Sequence, residues 1–138
     1  MVFYRRPVRR RYPDTEFAIG ALDALPRVDI AYAYAGGDGT AVRAFVAAGA
    51  RGIVSAGFAP GFAPPGDVEA LQEAVARGVV VVQSTRAGSG RTFRATRLAK
   101  GGLLIARQPD AAEGTHLLAL ALTVTDDPEQ IARIFQTY

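Results

Sequence analysis

Val79-Val80-Val81-Val82 sets the architecture of the chain. Four β-branched residues in succession form a stiff extended segment. A strand with one face in water would alternate apolar and polar residues; an unbroken apolar run is a strand covered on both faces, as in a parallel sheet. A parallel sheet requires crossover connections, usually helical. The residues upstream supply them. Gly78 ends a helix that the spacing of Val68, Leu71 and Val75 predicts from Asp67, as its cap, to Arg77. Before that helix lies a Gly/Pro-rich loop, Phe58 to Gly66, and a short apolar strand, Gly52-Ile53-Val54-Ser55-Ala56-Gly57. Gly49 stops an earlier helix, Thr40 to Ala48, expected to turn Ala41, Phe45 and Ala48 to one face. Gly36-Gly37-Asp38-Gly39 is a turn, and Val28 to Tyr34 is an alternating strand.

Downstream, Ser84 to Arg97 is a polar arm rich in Gly, Thr and Arg, and Leu103-Leu104-Ile105 is a fourth strand. A helix from about Asp110 to Val124 buries Leu117, Leu118, Ala121 and Leu122. Asp126-Asp127-Pro128-Glu129 opens a last helix, with proline at its first position and acids at its positive end. Ile131, Ile134 and Phe135 pack it down. Short strands alternating with helices imply right-handed crossovers. The expected fold is α/β: a small parallel four-stranded sheet with helices on both faces, a Rossmann-like or flavodoxin-like three-layer arrangement. An extended N-terminal arm, residues 1–27, precedes it. Prolines 7, 13 and 26 oppose regular structure there, and the arm reads as a connection to something upstream.

Composition narrows the chemistry. The 138 residues are 49% hydrophobic and 21% charged, which suits one globular domain. There is no cysteine, so disulfides, thiolate metal sites and cysteine nucleophiles are excluded. One histidine, His116, excludes a multi-histidine cage. No apolar run approaches the roughly 18 residues of a membrane span, and the first residues lack the apolar core of a secretory signal. The net charge is +3, but five arginines lie within the first eleven residues. The remaining 11 of the 16 basic residues face 13 acidic ones. The basic character belongs to the arm and not to a groove, which argues against nucleic acid as a partner.

Four features could carry chemistry. Gly36-Gly37-Asp38-Gly39-Thr40 follows a strand and resembles the phosphate loop of lipid and nicotinamide-nucleotide kinases, although a plain turn with Thr40 as helix cap is the simpler reading and no Walker lysine is present. The arm Ser84 to Arg94 places hydroxyls, glycines and arginines beyond a parallel strand's C-terminal end, where ligands bind; a loop ordering against a partner subunit is its plainer reading. His116 has no carboxylate at i±4 and reads as a structural histidine. Asp126, Asp127 and Glu129 read as a helix start complementing the dipole, not as a metal site.

Several pieces together resemble the C-terminal domain of bacterial L-asparaginases, the asparaginase/glutaminase family: Gly52 to Gly57, Leu118 to Thr123, Asp127 to Tyr138, Val28 to Tyr34 after Leu25-Pro26-Arg27, and Val81 to Gly90. Tyr4-Arg5 and Asp14-Thr15-Glu16-Phe17 resemble that family's interdomain linker. The resemblance covers the whole chain and divides it into a linker arm, 1–27, and an α/β domain, 28–138. It implies that the bond-breaking groups belong to a separate N-terminal domain: a threonine nucleophile, a second threonine, an aspartate and a lysine, in two segments that this chain lacks. The chain is then expected to be a fragment, inactive alone. Its parent, a homo-oligomer of the bacterial cytoplasm or periplasm, would hydrolyse a side-chain amide to a carboxylate and ammonia without metal or organic cofactor. The family also reaches into a neighbouring subunit's site with an asparagine and a glutamate. Phe62 and Arg97 stand at those positions and both depart from the pattern. An arginine repels the ammonium group that a glutamate attracts, so strict asparagine specificity is not implied. Two other classes stand beside this one: a kinase-like nucleotide binder using Gly36–Thr40, and a non-enzymatic module whose basic arm meets an acidic partner.

Overall fold

The computed structural model describes residues 15–17, 20, 22–87, 92, 102–105 and 110–138. Four parallel strands, β1 (Val28–Tyr32), β2 (Gly52–Gly57), β3 (Val80–Thr85) and β4 (Leu104–Ile105), lie side by side in chain order. Among the described residues four helices accompany them: α1 (Thr40–Ala47), α2 (Pro65–Ala76), α3 (Ala111–Ala121) and α4 (Pro128–Thr137). The element order and the α/β class are those expected from the sequence. None of these helices is long and apolar enough to cross a membrane.

The valine run works as two interleaved faces. Val80 and Val82, with Val54 of β2, pack under Leu117, Leu118, Ala121 and Leu122 and under Ile131, Ile134 and Phe135 of α4. Val79 and Val81, with Ile53, pack under Val42 of α1 and Ala70, Leu71 and Ala74 of α2. The sheet is therefore a filling between two helical layers, and alternate residues of one strand serve both. Ile53, Leu71, Leu118 and Ile131 are among the largest fully buried side chains. Each contributes roughly 1.5–3 kcal/mol of transfer free energy.

The ends of elements differ from the sequence reading in ways that tertiary contacts explain. β1 stops at Tyr32, although the Ala33 N–H still donates to the Ala56 carbonyl at 3.0 Å. α1 turns Val42 inward, with Phe45 and Val46 half-buried, while Ala41 and Ala48 are exposed. The small alanines gave no burial preference, and the large β-branched residue decided the face. Ser84 and Thr85 belong to β3 rather than to the polar arm, and Leu103 precedes β4. α3 ends at Ala121, short of Val124, with Asp110 capping it through the Ala112 N–H at 2.7 Å. Asp127 caps α4 through the Glu129 N–H at 3.0 Å, with Pro128 next, and Asp126 pairs with Arg51. The acidic cluster is thus a helix start.

Candidate functional site

The C-terminal edge of the sheet gathers the loops that leave β1, β2 and β3. The β2–α2 loop is tied by backbone bonds: the Phe58 N–H donates to the Phe62 carbonyl at 2.7 Å, and the Phe62 N–H to the Phe58 carbonyl at 2.8 Å. Ala59-Pro60 within it is cis. Gln83, 1% exposed within β3, donates from Nε2 to the Gly61 carbonyl at 2.8 Å. The Arg86 N–H donates to the Gly57 carbonyl at 2.8 Å, and the Thr85 hydroxyl approaches the same oxygen at 3.4 Å. The loop presses so closely that a Cβ at Gly57 would lie 2.5 Å from the Gly61 carbonyl carbon and oxygen. Glycine is required there by space. Phe62 emerges from this braced loop with its side chain 44% exposed, an apolar ring presented to solvent at the edge.

Arg86 locks the edge together. Its guanidinium lies 4.5 Å from the Phe58 ring and 5.5 Å from the Tyr32 ring, and Nη1 donates to the Ala33 carbonyl at 2.6 Å. One side chain therefore touches the ends of β1 and β2 from the end of β3. The sequence places Arg86 in the Ser84–Arg94 arm, an anion site or a loop ordering against a partner subunit, and does not announce the stack. Its only hint was Tyr32 and Phe58 standing at strand ends, as Arg86 does. Arg97, Arg91 and Arg94 lie outside the described residues.

The glycine-rich turn takes shape differently from a phosphate loop. Gly39, at φ +81°, is the N-cap of α1. Thr40 is the first helical residue and not the cap. The Thr40 N–H donates to Asp38 Oδ1 at 3.0 Å, and the Gly39 N–H donates to Asp67 Oδ1 at 2.9 Å. The Thr40 contacts hold the Asp38 carboxyl below its ordinary range: first the backbone N–H, then the side chain. Two carboxylates thus occupy the amides that a phosphate would need, and an incoming anion would meet their repulsion. The kinase-like expectation for Gly36–Thr40 is corrected on this ground. Asp67 is corrected too. α2 begins at Pro65, so Asp67 does not cap it; the residue sits in its first turn, buried, and bonds across to the α1 turn. Arg43 reinforces the junction by donating to the Asp38 carbonyl at 3.1 Å and to both carboxylate oxygens of Glu73 at 3.0 Å.

Few groups at the described edge could break a bond. His116 is exposed on α3, and its side chain has no hydrogen-bond partner among the described residues. No group of three or more His, Asp or Glu residues suited to a metal ion occurs among the described residues. What the edge provides is a fixed backbone scaffold with a projecting aromatic ring and a pre-oriented guanidinium.

Residues 27–135 match the family model of the glutaminase/asparaginase C-terminal domain. L-asparaginase 2 of Escherichia coli (strain K12) is 37% identical over 99% of this chain and 40% of its own length. L-asparaginase 2 of Bacillus subtilis (strain 168) is 36% identical over 99% of the chain and 37% of its own. Glutaminase-asparaginase of Pseudomonas aeruginosa (strain PAO1 among its designations) is 33% identical over 99% and 38%. Among solved structures, the probable cytoplasmic L-asparaginase of Campylobacter jejuni superimposes with a TM-score of 0.83 at 35% identity, covering 88% of this chain and 39% of that one. The chain spans less than half the length of these relatives. With the family model covering most of its residues, the chain belongs to the glutaminase/asparaginase C-terminal domain family.

Proposed function

We propose that this chain is the C-terminal portion of an asparaginase-type amidohydrolase. The observation that carries the reading is the superposition on a probable L-asparaginase over 39% of that protein, together with a family model that describes a C-terminal domain. In this reading residues 1–27 are the linker, and residues 28–138 are a scaffold that the catalytic domain uses. A threonine nucleophile of the N-terminal domain attacks the side-chain amide, and water then releases the carboxylate, ammonia having left first. No metal or organic cofactor takes part. The present domain supports a homo-oligomer and lends its sheet edge to a neighbouring subunit's site. Phe62, on the braced β2–α2 loop, and Arg97 are the residues it contributes to substrate binding. A ring at position 62 offers contact area and no hydrogen bond, so the amide substrate is held less by its polar groups than an asparagine at that position would hold it.

Ammonia release from L-asparagine and L-glutamine tests the proposal. The 138-residue chain alone releases none. The chain placed in the E. coli L-asparaginase 2 in exchange for the matching segment supports turnover, with folding checked by circular dichroism. Turnover by the isolated chain overturns the division of labour.

A further inference from the structure

The edge of the sheet holds a feature that the amide-cleaving reading leaves unused. A cleft of about 310 Å³ opens between the ends of β1 and β3 and the start of α3, lined by Ile30, Tyr32, Thr85, Arg86, Asp110 and Ala111 among others. That volume is at the low end for small-molecule sites, which are mostly apolar with a few placed polar groups. Here the placed groups are two opposite charges. The two aromatic rings and the Ala33 carbonyl fix the plane of the Arg86 guanidinium without neutralising it. Other arginines, Arg27, Arg43 and Arg51, are paired with Asp29, Glu73 and Asp126. Arg86 has no carboxylate partner among the described residues. Asp110 uses Oδ1 to cap α3 through the Ala112 N–H, which orients its carboxylate without giving it a cation.

We propose that this cleft binds a free amino acid with a small apolar side chain. Its carboxylate meets Arg86, in the forked geometry that a guanidinium offers. Its ammonium meets Asp110, and its side chain lies against Ile30, Tyr32 and Ala111. A simple anion in the cleft would face the charge of Asp110, and a simple cation that of Arg86, so only a ligand carrying both charges satisfies the pair. The inference rests on the cleft's own lining and not on the amide-cleaving reading, and it stands whether or not that reading holds.

The probe is L-valine, with isovalerate and isobutylamine as its two halves, titrated into the 138-residue chain by calorimetry and by amide chemical shifts. L-Valine is expected to bind saturably and to move the Arg86, Ala87 and Ala112 amides. Each half should bind at least about tenfold more weakly, the loss of roughly one charge-assisted hydrogen bond. D110N keeps a good helix cap while removing the charge, and R86Q removes the cation; each should weaken L-valine by about tenfold or more, with the circular dichroism spectrum unchanged. An absence of saturable L-valine binding to the parent chain overturns the proposal. So does isovalerate binding as tightly as L-valine, or affinity indifferent to D110N.

Discussion

The ring of Tyr138 lies 5.4 Å from that of Phe17, the planes tilted by 45°, and its hydroxyl donates to the Glu16 carboxylate. Residues at opposite ends of the chain are thereby packed together, with Tyr138 3% and Phe17 8% exposed. Both rings join the cluster formed by α3, α4 and the sheet. Tyr138→Ala removes an aromatic side chain from this packing and should cost about 3–5 kcal/mol. Tyr138→Phe keeps the ring and should cost only about 1 kcal/mol. Urea denaturation of both variants checks this; equal losses would mean that the hydroxyl, not the ring, holds Glu16 and Phe17 in place.

Asp67 should be needed for the α1 turn rather than for α2. Asp67→Ala leaves the Gly39 N–H without its buried acceptor and should destabilise by about 1–3 kcal/mol. Asp67→Asn retains an acceptor oxygen and should cost less. Hydrogen exchange at Gly39 reads the local effect: its amide should exchange faster in the alanine variant, and an unchanged rate would show that some other group accepts it.

The turn Gly36–Thr40 should bind no nucleotide. Calorimetry with ATP and magnesium should give no saturable heat, because Asp38 and Asp67 already accept the Thr40 and Gly39 N–H groups. Micromolar binding abolished by a bulky residue at Gly37 would refute that assignment.

Acid should weaken the α1–α2 junction. Glu73 is held below its ordinary value of 4.5 chiefly by the Arg43 hydrogen bond, and Asp38 below 3.8 chiefly by the Thr40 N–H. A folded-state value below the unfolded one means that the unfolded chain binds more protons. The stabilisation is therefore complete above about pH 4.5 and is lost as pH falls through the depressed folded values. In Glu73→Gln the fall in urea midpoint from about pH 6 to pH 3 should be shallower than in the parent. An identical slope would remove Arg43–Glu73 from the account.

Phe62 offers a test of the substrate reading. In the E. coli chimera, Phe62→Asn should raise kcat/KM for L-asparagine by about tenfold, the equivalent of one hydrogen bond in the transition state. Ammonia release measures it. No change would detach the β2–α2 loop from substrate binding.

Much of the fold was legible because it rests on local pattern. Val79–Val82 identified a strand covered on both faces, Leu117, Leu118, Ala121 and Leu122 identified the buried stripe of α3, and Asp127-Pro128-Glu129 identified the start of α4. The contacts that build the edge were not legible. Asp67 bonds to a residue 28 positions away, and Arg86 to one 53 positions away. Sequence spacing near Asp67 suggested a cap, since an acid before an apolar periodicity commonly is one; Pro65 had already started the helix and freed the carboxylate to reach α1. The Arg86 stack needed three strand ends to be aligned first. Phe62 is singled out by family likeness and not by chemistry, since an aromatic ring in a Gly/Pro-rich loop announces no role; the structure adds its exposure on the braced loop.

β1 forms one border of the four strands, and its outer backbone groups have no neighbouring strand among the described residues. The ion pair at its start, Arg27 Nε to Asp29 Oδ2 at 2.7 Å, puts two charges on that border, with Asp29 carried by the strand itself. Another extended segment approaching sideways would have to strip water from both charges before it could zip onto the ladder. A border strand with charge at its start is a poorer template for such pairing than a bare apolar one.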